Sequence, residues 1–177
     1  MYEADDLAVL TSAAYLARLN APTPATQRAL KHFRNTSRAV CRVVHSLGSS
    51  SGGHMLAMRL AIAPEASDAM CELLVAQAFP RAMALIGVVA CHLYAADEGA
   101  SYARTAESST RRFDVPAWVL LCETTFVEAA ERARRLFDGT ELRNLGVSVR
   151  SDAATYALEI CRESKGREEA VNRRSTV

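Results

Sequence analysis

Four short apolar runs constrain the fold of this chain more than any other feature. "HMLAMRLAI" (54–62), "GVVACHLYA" (87–95), "AWVLLCE" (117–123) and "ATYALEIC" (154–161) each alternate with a period of two. In the first, Leu56, Met58, Leu60 and Ile62 alternate with Met55, Ala57, Arg59 and Ala61. The second sets Val89, Cys91 and Leu93 against Val88, Ala90, His92 and Tyr94. In the third, Trp118, Leu120 and Cys122 oppose Val119, Leu121 and Glu123, and in the fourth Tyr156, Leu158 and Ile160 oppose Thr155, Ala157 and Glu159. Each run therefore predicts a strand with one apolar face and one face bearing a single ionisable residue. Such strands build a sheet with one side in a core and the other side partly wet.

Helical patterns separate them. Ser67 to Ala78 carries Ala69, Leu73 and Ala76 on one stripe, and Pro80 is expected to end or kink it. Thr125 opens a second helix with a T-x-x-E capping box to Glu128, and Asp138-Gly139 closes it. Its apolar face is Phe126, Ala129, Ala130, Ala133, Leu136 and Phe137. The order from 54 to 161 is β-α-β-β-α-β, which predicts an α+β, ferredoxin-like fold with an antiparallel sheet. The fourth strand is expected beside the first, then the third, then the second.

Before this unit, Asp5 or Asp6 caps a helix reaching about Leu19, "NAPTPAT" breaks it, and a second helix runs from about Ala25 to Phe33. "SRAVCRVVHS" reads as a strand alternating Ala39, Cys41 and Val43 against Val40, Arg42 and Val44, and "LGSSSGG" as a flexible linker. The expected division is a partial repeat of two helices and one strand over 1–47, a linker over 48–53, a ferredoxin-like domain over 54–161 and a mobile charged tail over 162–177.

The totals narrow the partners. A formal net charge of +1 argues against a nucleic-acid binder, which needs a basic face. No apolar run approaches the roughly 18 residues of a membrane span. Acids in "MYEADDLAVL" stand where an export signal carries Lys or Arg. The five cysteines stand singly at 41, 71, 91, 122 and 161, without metal-ligand spacing, so the expectation is a reduced, cytoplasmic protein with no metal and no cofactor. Ser46 and Ser49 to Ser51 lie near His45 and His54 in sequence, but no G-x-S-x-G turn accompanies them.

Placed in ferredoxin-like order, the ionisable residues line up across the sheet as Glu159, Arg59, Glu123 and His92. Two readings follow. One is a cross-strand salt-bridge ladder. The other is a cavity in which His92 acts as general base or acid, Glu123 orients it and Arg59 holds an anionic substrate group, with Glu159, Tyr94 and Tyr102 lining the site. Tyr102 lies in "ADEGASYARTAESSTRRFDVP", far longer than a turn between neighbouring strands requires, so Tyr102, Arg104, Thr105, Glu107, Arg111 and Arg112 are candidates for a lid or a subunit clasp.

"HFRNTSRAVCRVVHSLG", "GVVACHLYAAD", "TAES" and "DVPAWVLLCE" resemble a bacterial group in the dimeric α/β-barrel superfamily, near its EthD-like members, over roughly Tyr2 to Cys161. The resemblance implies that two sheets pack open face to open face, from two chains or from tandem repeats, and enclose a pocket. Its members include cofactor-free monooxygenases, polyketide cyclases, haem enzymes and muconolactone-type isomerases. For this chain it implies a homodimer binding a small organic molecule of aromatic or polyketide type. The alternative is a non-catalytic dimerisation or accessory module. Residues 1–47 resemble only the closing half of a tandem repeat, so a misplaced start or a barrel completed by association is expected.

Overall fold

The computed structural model describes residues 13–32, 39–102, 106, 114–144, 146–149 and 153–159. Helices α1 (Ala13–Asn20) and α2 (Pro24–Leu30) come first, then strands β1 (Cys41–Gly48) and β2 (His54–Ala61). The break between the helices falls at the two prolines. Thr23 caps α2, its Oγ1 accepting from the Thr26 N–H at 3.2 Å. Neither helix buries a residue. The expected start of α1 at Asp5 or Asp6 and the charged tail lie outside the described residues.

Helices α3 (Ser67–Leu73) and α4 (Phe79–Met83) form one continuous run, so the helix does not end at Pro80. Between them Leu74–Ala78 make a π-helical turn, in which the Phe79 N–H reaches back to the Leu74 carbonyl. Pro80 has no N–H and lacks one rung in any helix. The wider turn absorbs that gap without breaking the run.

After β3 (Val88–Ala96) come α5 (Glu98–Ser101), β4 (Trp118–Thr124), α6 (Val127–Phe137), α7 (Thr140–Asn144), β5 (Ser148–Val149) and β6 (Ala154–Ala157). The capping box expected at Thr125 does not form. Phe126, with an extended backbone, is the residue before α6, and no side chain caps it. The Thr125 hydroxyl instead donates to the Gly87 carbonyl at 3.4 Å, and the Thr124 hydroxyl to the Phe126 carbonyl at 3.1 Å. Both hydroxyls are spent on holding the strand-to-helix corner. Arg132 completes it, donating to the Ile86 carbonyl at 2.9 Å with its guanidinium 5.5 Å from the Phe126 ring centre.

The chain is α+β with an antiparallel open sheet. Its strands run β1-β3-β4-β2, and β5 and β6 both pair with the outer side of β2. The second, third, first and fourth apolar runs thus stand in the expected spatial order. β1, the strand read as part of a preceding repeat, belongs to the same sheet, paired with β3 at its far edge. β5 and β6 act as one interrupted edge. Val149 opposes Leu60 and Ala154 opposes Ala57, so five steps of one strand face three of the other.

That two-residue excess accompanies a correction to the reading of β6. Thr155 opposes Leu56 on the core side, and Tyr156 opposes Met55 on the other. Tyr156 is therefore on the open face and 51% exposed, although its apolar character predicts the core.

Helices α3, α4 and α6 cover one face of the sheet. Leu56, Met58, Leu60, Cys91, Leu93, Leu120 and Cys122 pack there against Met70, Leu74, Phe79, Ala130, Ala133 and Phe137. Each large side chain so buried contributes about 1.5–3 kcal/mol relative to exposure. Phe79 and Phe137 meet edge to face with ring centres 6.0 Å apart. Cys91 and Cys122 are directly opposed across β3 and β4, with their sulfurs 3.7 Å apart as free thiols.

Candidate functional site on the open sheet face

The strand registers assign the opposite face row by row. The first row reads Tyr156, Met55, Glu123, Ala90, Gly48 across β6, β2, β4, β3 and β1. The second reads Ala154, Ala57, Leu121, His92, Ser46, and the third Arg59, Val119, Tyr94, Val43 across β2, β4, β3 and β1. Successive rows lie about 7 Å apart, twice the rise per residue of a strand.

His92 sits at the centre of this wall and is only 9% exposed. Its two ring nitrogens face different groups. Nδ1 lies 2.9 Å from the Ser46 hydroxyl, and Nε2 lies 3.6 Å from Oε1 of Glu123. Glu123 stands one row away, so the contact is diagonal, across β3 and β4. At 3.6 Å the pair is electrostatic rather than hydrogen-bonded, and Nε2 is buried without a hydrogen-bond partner.

Glu123 is held from its other side. Its Oε2 accepts from the Gly52 N–H at 2.9 Å. Gly52 belongs to the segment 49–53, which leaves β1 at one edge and passes the ends of β3 and β4 to enter β2. The passage is tight. A Cβ on Gly52 would lie 2.3 Å from the Thr124 carbonyl oxygen, and one on Gly48 would lie 2.3 Å from that of Val89. Gly48 also has φ +91°, which glycine adopts without strain. The serine-rich stretch expected to be a flexible linker is thus anchored at both glycines and supplies an N–H to the site.

Tyr94 adjoins His92 on β3, with ring centres 6.1 Å apart. Burial, then the charges of Glu123 and Cys41, push its phenol up to about 12, so Tyr94 is a neutral donor at physiological pH. Arg59 is on the same face but not beside Glu123: it opposes Val119, in the Tyr94 row. The alternating row Glu159, Arg59, Glu123, His92 does not form as drawn. Glu159 lies beyond the end of β6 and is exposed. Tyr102 follows α5 and is 57% exposed. The loop begins firmly, because the Ser101 hydroxyl accepts from the Val40 N–H at 2.9 Å and donates to its carbonyl at 3.2 Å. Arg104, Thr105, Glu107, Arg111 and Arg112 lie outside the described residues.

Ser46 is the site residue that alternation along the strand misses. From Val43 to Ser46 β1 takes three steps, while its partner β3 takes two, from Tyr94 to His92. Val44 is the extra residue, and this bulge turns the following residues over. Without it His45 would oppose His92. With it His45 faces the core, its ring centre 6.1 Å from that of Phe79, and Ser46 takes the open face. A bulge leaves no mark in a periodicity count.

Among the described residues no group of three or more His, Cys, Asp or Glu is placed to hold a metal ion, and no helix is long and apolar enough to cross a membrane. The arrangement is one of general acid–base groups: a hydroxyl, an imidazole and a carboxylate in contact, with a neutral phenol beside them. No family model matches the sequence, and no curated protein matches it significantly.

Proposed function

We propose that this chain binds a small organic molecule on the open face of its sheet, and that a second copy of the chain closes over that face in the manner of a dimeric α/β barrel. On this reading the sheet is ferredoxin-like in the full sense, the bound molecule is aromatic or polyketide-like, and the protein works in a reducing, cytoplasmic setting that keeps its thiols free. His92 accepts or donates a proton, Glu123 orients its ring, Tyr94 donates a hydrogen bond, and Arg59 holds an anionic group of the ligand.

The observation that carries this reading is the make-up of the open face. His92 and Tyr94 are buried at its centre, while both margins carry exposed apolar side chains, Val43 at 58% and Tyr156 at 51%. A wall with polar groups inside and apolar edges favours a second, similar wall over water.

Light-scattering mass during size exclusion tests the assembly: the wild type runs as a dimer, and Val43→Asp with Tyr156→Asp runs as a folded monomer. Thermal-shift screening with aromatic and polyketide-type acids tests the ligand. Binding is weakened at least tenfold by His92→Ala and by Arg59→Ala. A dimer in which no such acid raises the melting temperature supports the non-catalytic accessory module instead. A wild type that remains monomeric with every such acid sinks the proposal.

A further inference from the structure

We propose that Ser46 is a nucleophile, activated by His92 and Glu123 to take an acyl group from a small carboxylic ester or thioester. The inference deepens the open-face reading by naming a reaction there, and it rests on that face being the site but not on the dimer.

The argument starts from the tautomer. A neutral imidazole carries one N–H, and only a hydrogen on Nε2 is attracted to the Glu123 carboxylate 3.6 Å away. That choice leaves the Nδ1 lone pair facing Ser46 at 2.9 Å, so the serine hydroxyl donates to the imidazole. A hydroxyl donating to a base that is backed by a carboxylate is the arrangement of serine nucleophiles on unrelated folds, recognised by geometry rather than chain order. Burial is graded in the sense this chemistry needs. Ser46 is exposed, His92 is 9% exposed, and the Glu123 carboxylate is fixed by the Gly52 N–H.

In the reaction, Ser46 Oγ attacks the acyl carbon as its proton passes to His92 Nδ1. The imidazolium then faces Glu123 through Nε2–H. Collapse of the tetrahedral adduct breaks the bond to the leaving oxygen or sulfur, which takes the proton from His92. Water, deprotonated by the same nitrogen, cleaves the acyl-serine, giving a carboxylic acid and the original hydroxyl.

Diisopropyl fluorophosphate tests this without knowledge of the natural substrate, because its phosphorus takes a serine oxygen and expels fluoride. Ser49, Ser50 and Ser51 are exposed in the same molecule and serve as internal controls. Fragment-ion mass spectrometry of the intact, folded protein is expected to show Ser46 labelled about 100-fold faster than these three, the scale of general-base catalysis. His92→Gln, which keeps a hydrogen-bonding side chain but cannot take the proton, brings Ser46 down to the rate of its neighbours. Labelling of Ser46 at the rate of Ser49–Ser51 in the wild type overturns the proposal, whether or not the variant folds. A monomeric protein whose Ser46 still labels selectively removes the dimer and leaves the nucleophile standing.

Discussion

Gly52→Ala tests the anchoring of Glu123 directly. The added Cβ would sit 2.3 Å from the Thr124 carbonyl oxygen and 2.6 Å from its nitrogen, both backbone atoms that cannot rotate away. Segment 49–53 must move outward, and the N–H bond to Glu123, now 2.9 Å, is lost. A hydrogen bond to a charged group contributes about 1.5–3 kcal/mol, and displacement of the segment adds to this, so the cost is about 2–4 kcal/mol. For a chain of this size that lowers the melting temperature by roughly 5–15 °C. Gly53→Ala is the control, because its Cβ would meet only the Thr125 carbonyl oxygen at an ordinary 3.6 Å. Its effect stays within about 0.5 kcal/mol. Urea denaturation of both variants, and of Gly52→Ala combined with Glu123→Gln, measures the coupling, which is expected to be at least about 1 kcal/mol. If Gly52→Ala is as silent as Gly53→Ala, or its effect simply adds to that of Glu123→Gln, then the anchor is not what holds the carboxylate.

Other expectations follow from burial. The Tyr94 phenol, raised to about 12, stays protonated in the folded protein where an unfolded tyrosine near 10 has ionised. Its contribution to stability is complete below about pH 10 and is lost as pH rises toward 12; absorbance titration at 295 nm shows one late tyrosine, absent in Tyr94→Phe. Cys91 and Cys122 are fully buried, and the sulfur contact with Cys122, then burial, raises the Cys91 thiol, so iodoacetamide at pH 8 modifies neither until denaturant is added. Cys41 and Cys71 are half-buried with thiols pushed up by burial, and they react slowly in the native protein. Phe79→Ala removes a fully buried ring in contact with Phe137 and costs about 3–5 kcal/mol by chemical denaturation.

What could be read from the residues follows the physics of alternation. Period two assigned the faces of β2, β3 and β4, because these strands are paired on both sides and each turns an unbroken row of apolar side chains into the core. It thereby put His92, Glu123, Arg59 and Tyr94 on one wall. It did not place Arg59, because faces depend on parity alone while neighbours depend on register, and register is set by corners such as Thr124–Phe126. The phase of β6 was misread because Tyr156 and Leu158 carry the apolar signal yet lie outside the core, at 51% and 53% exposure. Proline at position 80 suggested a stop or a kink because a missing N–H usually ends or bends a helix, but five residues of wider turn carry the chain past it. Ser46 was hidden by the single surplus residue at Val44.

That surplus residue has a consequence for how such a wall changes over time. Pairing the same residues without the bulge would bring the His45 ring opposite His92 and turn Ser46 inward, replacing an alcohol by a second azole. Two facing azoles suit a divalent transition-metal ion better than an acyl group. A one-residue shift of pairing along an edge strand, with no substitution anywhere, is enough to exchange one reactivity for another.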